Sequence, residues 1–275
     1  MKRITLGYSP CPNDTFIFYA LAHKKIKGNI GFSEVLRDVE ALNRMALGTE
    51  LDVTKASFHA FGHLRENYCL LRSGSALGRG CGPLIVSKNP VRVSELAGKK
   101  IAIPGKMTTA YLFLRLFAPD VENVVEMPFD RIMNAVSLGT VDAGLIIHEG
   151  RFTYPACNLV KLIDLGEWWE RETGLPVPLG GILAKRELGA DVIEEIDRMI
   201  RESIEYAFQN RALAREYIRS HAQEMDDAVI DQHIGLYVNE YTLDIGDGFF
   251  AVEKMLKRAE ESHLIPQCDK PLFIE

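Results

Sequence analysis

The sequence predicts an α/β fold of two lobes, built from mostly parallel, buried strands alternating with helices. Three observations carry this expectation. Short apolar runs ("RITLGY", "LDVTKASF", "GPLIVS", "KKIAIPG", "NVVEMP", "AGLII") alternate with stretches of helical spacing ("NDTFIFYALAHKK", "VEALNRMALG", "TTAYLFLRLF", "FDRIMNAVSLG"). The order also repeats: "LNRMALGTELDVTKA" (42–56) resembles "MNAVSLGTVDAGLI" (133–146), each a helix, then Leu-Gly-Thr, then an acidic residue leading into a strand. Third, a helix-rich tail from about Asp191 to His263 carries amphipathic periods and is expected to pack onto the first lobe.

Taken in order, the first strand is followed by a helix whose N-cap is expected at Asn13 or Asp14. A second helix ends at Gly48 and feeds the strand around "VTKAS". Upstream of the second copy of the repeat, "IAIPGKMTTAYLFLRLF" matches "ITLGYSPCPNDTFIFYAL", both running strand, Pro/Gly loop, then threonine and aromatics on a helix. The glycine-rich "GSALGRGCGPL" lacks the GK[ST] of a phosphate loop and leads into a strand, so it reads as the crossing between lobes. These elements place lobe one at 1–87 plus 181–275, a discontinuous unit, and lobe two at 88–180. A cleft is expected between them.

Composition narrows the class of function. The 275 residues suffice for two modest lobes with real cores, and 47% hydrophobic and 25% charged residues are ordinary for a globular protein. Net charge is −6 with the signs interleaved, which argues against nucleic-acid binding. "MKRITLGYSPCPND" has no apolar stretch of the signal-peptide kind, and no run approaches a membrane span. Five cysteines with no CxxC pair suit reduced thiols, so the expected setting is cytoplasmic, with a small-molecule substrate and neither nucleic acid nor membrane as partner.

In an open α/β sheet, ligands bind beyond the carboxyl ends of the strands. Four loops qualify: "SPCPNDT", "TKAS", "PGKMTTA" and "HEGRFTY". "GKMTTA" offers Gly105 for close approach, and Thr108 and Thr109 at a helix start, a receptor for a carboxylate or simply a cap. "TKAS" offers Lys55 as a cation and Ser57 as a donor, or merely a solvated lysine at a strand end. In "AGLIIHEGRF" an apolar strand stops on His148 and Glu149. His148 fits two readings equally: a general base facing a cleft, with Glu149 and Arg151 either orienting it or pairing with each other, or a histidine satisfied by backbone at a strand end.

Other motifs fail. His148-Glu149 begins like HExxH, but Phe152 stands where the second histidine belongs. His59 and His63, four apart, with Glu66 following, suit a packed or surface helix better than a metal site. Cys11 in "SPCPND" lacks a neighbouring cation to activate it.

Together, "GYSPCPNDTFIFYAL", "TKAS", "LRSGSALGRGCGPL", "IPGKMTTAYLFL", "GLIIHEGRFTY" and "DLGEWWERETGLPVPLGGILAKR" resemble the 1,4-dihydroxy-6-naphthoate synthases of the futalosine route to menaquinone, from about residue 4 through the "PLF" at the C-terminus. The resemblance implies a type II periplasmic-binding-protein fold and a lyase that converts cyclic dehypoxanthinyl futalosine to 1,4-dihydroxy-6-naphthoate with release of dihydroxyacetone. It implies His148 as catalytic base and Lys55, Ala56, Ser57, Thr109 and Ala110 as substrate contacts, with no metal or redox cofactor. The alternatives are a non-catalytic small-carboxylate-binding protein of the same fold, or a chorismate dehydratase-type enzyme of the same pathway.

Overall fold

The computed structural model describes residues 2–223 and 226–274. The first lobe opens with β1 (Lys2–Tyr8), α1 (Pro12–Ala22), β2 (Ile30–Leu36), α2 (Val39–Leu47), β3 (Val53–Ser57), α3 (Phe58–Leu64), β4 (Tyr68–Leu70) and β5 (Ala76–Gly78). The second contains β6 (Leu84–Ser87), β7 (Ile101–Ile103), α4 (Thr109–Phe117), β8 (Val124–Glu126), α5 (Phe129–Ser137), β9 (Ala143–Ile146), α6 (Gly150–Thr153), β10 (Val160–Asp164) and α7 (Leu165–Thr173). The chain returns through β11 (Val177–Lys185) to α8 (Ala190–Gln209), α9 (Arg211–His221), α10 (Asp227–Tyr237), α11 (Glu240–Leu243) and α12 (Phe249–Glu261).

The repeat seen in the sequence is a repeat of topology. The first sheet runs β2-β1-β3-β11-β4, with β5 also on β11, and the second runs β10-β6-β9-β7-β8. In each, a strand–helix–strand–helix–strand unit lies parallel with its first strand central: β1 pairs with β2 and β3, and β7 with β8 and β9. An antiparallel strand then closes each unit, β11 against β3 and β6 against β9. The helix pairs of the repeat, α2 into β3 and α5 into β9, occupy equivalent places.

The sheets set the lobe boundaries. Because β6 belongs to the second sheet and β11 to the first, the chain crosses at 79–83 and 174–176, several residues before the expected 87/88 and 180/181. The two crossings touch: the Arg79 guanidinium donates to the Gly174 carbonyl (2.8 Å) and the Gly80 N–H to Glu170 (2.7 Å). Beside them, Gly82 lies so near Gly166 that a Cβ would stand 2.3 Å from the Gly166 Cα. No side chain fits without moving backbone. Gly82→Ala is therefore expected to lower stability by about 1–3 kcal/mol, read as a reduced urea midpoint, and an unchanged midpoint would contradict this packing.

Local physics accounts for the element ends. The Asp38 carboxylate caps α2 by accepting from the Glu40 and Ala41 amides, Thr108 caps α4 through the Tyr111 amide, and Asp164 caps α7 through Gly166 and Glu167. The first helix departs from expectation. Its N-cap is Cys11, and Pro12 sits at the first helical position, where its fixed φ suits a helix start and its missing N–H is no loss. Asn13 and Asp14 thus fall inside the first turn. The tail helices α8, α9 and α10 pack on α1, and α12 on α3 and β11, so the tail does cover the first lobe.

Candidate active site

The loops expected to converge do so. A cavity of about 90 Å³ lies between the lobes at the carboxyl ends of β1, β3, β7 and β9. Lys55, Ala56, Ser57, Thr109, Ala110 and His148 all line it. Cys81, from the crossing, and Tyr237, from α10, complete the wall.

Its floor is an ion pair. Lys55 Nζ stands 3.3 Å from Asp14 Oδ1 and donates to the Gly74 carbonyl at 2.8 Å. Asp14 also accepts from the Ser9 hydroxyl (2.7 Å), the Ser9 amide (3.1 Å) and the Asn13 side-chain amide (2.9 Å). Lys55 is 5% exposed, so it is no solvated strand-end lysine. It is a neutralised cation held under the cavity.

The Ser57 hydroxyl accepts from the Asn43 side-chain Nδ2 (3.1 Å) while the Ser57 N–H donates to Asn43 Oδ1 (2.9 Å), which leaves the hydroxyl hydrogen for a ligand. Thr109 differs: its hydroxyl donates to the Leu179 carbonyl (2.6 Å) and accepts from the His59 amide (3.3 Å). Thr108 donates to the Gly105 carbonyl (2.7 Å). The threonine hydroxyls thus shape the loop, and the first-turn amides of α4 at Thr109 and Ala110 are what it offers an anion.

Contacts between lobes close the cavity. Arg44 pairs with Glu126 (2.6 Å), and Glu40 accepts from the Met107 amide (3.1 Å). His59 is 4% exposed behind the threonine loop, with Nδ1 3.2 Å from the Thr108 carbonyl, so Nδ1 carries the proton. Burial, with His63 adding to it, pushes the His59 imidazole down to about 4. Its unfolded value is near 6.5, so the unfolded chain binds the proton first as pH falls. Stability is expected to drop between about pH 6.5 and 4, by roughly 3 kcal/mol from this residue. Urea unfolding across that range should give a flatter pH dependence in His59→Gln than in the parent; identical slopes would contradict it. His59 and His63 stand on α3 with their rings 5.5 Å apart, His59 buried and His63 half-buried.

His148 follows β9 with φ at 55°, a left-handed turn unusual for a non-glycine residue. It is half-buried, and its Nε2 is sealed from solvent without a hydrogen-bond partner. Phe129 meets the ring edge-on at 5.0 Å, and His233 lies nearly parallel to it at 6.1 Å and 15°. Burial lowers the His148 pKa, against the opposing pull of the Glu149 and Asp14 carboxylates, while the Lys55 cation lowers it further. The neighbours expected to orient it do otherwise. Arg151 pairs with Asp164 (2.5 Å) and the Gly82 carbonyl (2.7 Å), and Glu149 Oε2 is buried without a partner.

The thiols are quiet. Burial holds Cys11 well above the usual thiol range and pushes Cys81 up to about 12, so neither is a ready nucleophile. Asn13, Asp14, Cys81 and Tyr237 were not singled out in the sequence as site residues; Asp14 and Asn13 stand in the "SPCPNDT" loop that was, and Tyr237 sits in a tail read only as packing.

Residues 4–261 match the family described as Menaquinone biosynthesis. The chain belongs to that family. A relative from Thermus thermophilus, named 1,4-dihydroxy-6-naphtoate synthase, is 48% identical over the full length of both chains. One from Streptomyces coelicolor with the same name is 47% identical over 96% of this chain and 95% of its own. A solved structure of a protein from Archaeoglobus fulgidus matches with a TM-score of 0.90 at 40% identity, covering 96% of this chain and 98% of that one. An alkanesulfonate-binding protein from Xanthomonas axonopodis pv. citri, solved with MOPS, matches at 0.70 with 14% identity over 97% and 95%. The menaquinone-biosynthesis chain therefore has the two-lobed periplasmic-binding-protein fold, with a cleft and a helical C-terminal segment, and is an enzyme of the menaquinone pathway. Among the described residues, no helix is long and apolar enough to cross a membrane.

Proposed function

We propose that this enzyme is a lyase that converts cyclic dehypoxanthinyl futalosine to 1,4-dihydroxy-6-naphthoate and dihydroxyacetone, with His148 as general base. The observation that carries the reading is the position of His148: a lowered-pKa imidazole with an uncommitted nitrogen, in a left-handed turn at the cavity wall, in a chain 48% identical along its length to a relative with the synthase name. A base must be neutral at the working pH, and burial keeps it so. Removal of a proton from the sugar-derived ring by His148 would start a retro-aldol-like cleavage, with aromatisation as its driving force. Ser57 and the amides at Thr109 and Ala110 would hold substrate oxygens. Lys55, already paired to Asp14, would act on the substrate as a dipole with its partner more than as a free cation.

The test is complementation. Expressed in a futalosine-route bacterium deleted for its own synthase, this chain should restore menaquinone, and the His148→Asn variant should not. Failure of the parent chain at normal expression would sink the substrate assignment.

A further inference from the structure

His233 is 0% exposed and stands on α10, outside the cavity lining. Its Nε2 lies 2.9 Å from Asn13 Oδ1. The Asn13 amide nitrogen is engaged with the Asp14 carboxylate (2.9 Å), which cannot donate, so Oδ1 is an acceptor and His233 must carry its proton on Nε2. Nδ1 is then a bare lone pair, buried and without a partner. The Nε2–H satisfies Asn13, but a second ring nitrogen is left over, so an imidazole at this place calls for an explanation. The Tyr237 ring, one turn on, packs against it at 4.6 Å. Its flat face meets His148 across the cleft, from the first lobe's helices to the second lobe's loop.

We propose that His233 is a positioning residue for His148, its ring face fixing the plane of the base when the lobes close. The proposal rests on the reading of His148 as that base. With no hydrogen bond at His148 Nε2, ring packing holds that nitrogen's aim: Phe129 at one edge and His233 on a face. His233 is itself locked by Asn13 and Tyr237, so the base is aimed by a chain of fixed contacts running from the Asp14–Lys55 floor. The charged groups around the pair are the Glu149, Asp14 and Asp38 carboxylates and the Lys55 ammonium at His148, with the neutral Tyr237 phenol at His233. Burial favours the neutral His148 ring, and His233 is one of the rings packed against it.

The test follows the His148 imidazole by NMR, its signal assigned by loss in His148→Asn, alongside turnover. In His233→Ala, water should reach the ring and His148 should titrate higher, toward the ordinary histidine range. The kcat should fall about 10- to 100-fold with KM within about threefold. His233→Phe, which restores a flat face without a titrating group, should keep the low titration and recover kcat to within about threefold of the parent. If His233→Ala fails to fold, His233→Leu, which fills the volume without a flat face, must show the same loss of kcat while the titration stays low. Unchanged titration and kcat in these variants, or a phenylalanine no better than alanine, would overturn the proposal. If the parent turns over no cyclic dehypoxanthinyl futalosine, the functional reading fails instead, and the titration, which needs no substrate, still decides the role of His233.

Discussion

Replacing His148 with asparagine is expected to lower kcat by about 10²- to 10⁴-fold, the usual worth of a positioned general base, while substrate affinity changes little. Asparagine is the informative choice. At φ 55° most side chains are strained, but asparagine enters the left-handed region readily, so the turn after β9 should survive. It is also close to imidazole in polarity yet does not titrate near neutral pH. The parent enzyme should show an acid limb in kcat/KM below the ordinary histidine value, because burial favours the neutral ring. That limb should vanish in the variant's residual activity. Stopped-flow or single-turnover kinetics with calorimetric binding would separate the two effects, and near-normal kcat in His148→Asn would remove it from the chemistry.

The second large effect concerns stability. Asp14→Ala is expected to destabilise the protein by about 3–5 kcal/mol, because it strands the Lys55 ammonium in a site where both side chains are nearly inaccessible. For a chain of this length that corresponds to a fall in Tm of roughly 6–10 °C. Adding Lys55→Met should return part of the loss, since the double variant buries no unpaired charge. Thermal unfolding of the two single variants and the double one completes the cycle, and strictly additive losses would contradict a coupled pair. The Asp14 variant should also lose Ser9 as a fixed element of the cavity wall, because the Asp14 carboxylate holds both its hydroxyl and its amide.

Much of the architecture was legible because the chain repeats itself. Leu-Gly-Thr follows a helix at 47–49 and again at 138–140, and the topology on either side agrees, although the left-handed residue is Thr49 in the first copy and Gly139 in the second. Strand β2 was invisible for a physical reason: it lies at the sheet edge, and Ser33 and Glu34 break its apolar run. Strand β11 carries no clear strand signal, since "VPLGGILAK" holds a proline and two glycines. Yet it is central, with the register shifting between Pro178 and Gly180 where it leaves β5, and Gly180 glycine because a Cβ would press on the Ala56 carbonyl at 2.5 Å. Because β11 joins the first sheet from Val177, that sheet resumes before residue 181.

For the site, loops were easier to find than roles. The four loops meet as strand-end logic requires, and His148 faces the cleft. Which hydroxyl is free could not be read from "TKAS" and "TTA": Ser57 accepts from Asn43 and keeps its hydrogen, whereas Thr109 spends its own on Leu179, 70 residues away. His233 and Tyr237 share one face of α10, and only the folded chain brings that face to the cavity loop.

The most direct measurement of the central claim is an anaerobic incubation of purified protein with cyclic dehypoxanthinyl futalosine, with no cofactor added, following both products by mass. The account predicts 1,4-dihydroxy-6-naphthoate and dihydroxyacetone in equal amounts. Tight binding with no product would contradict it and make the cavity a receptor site.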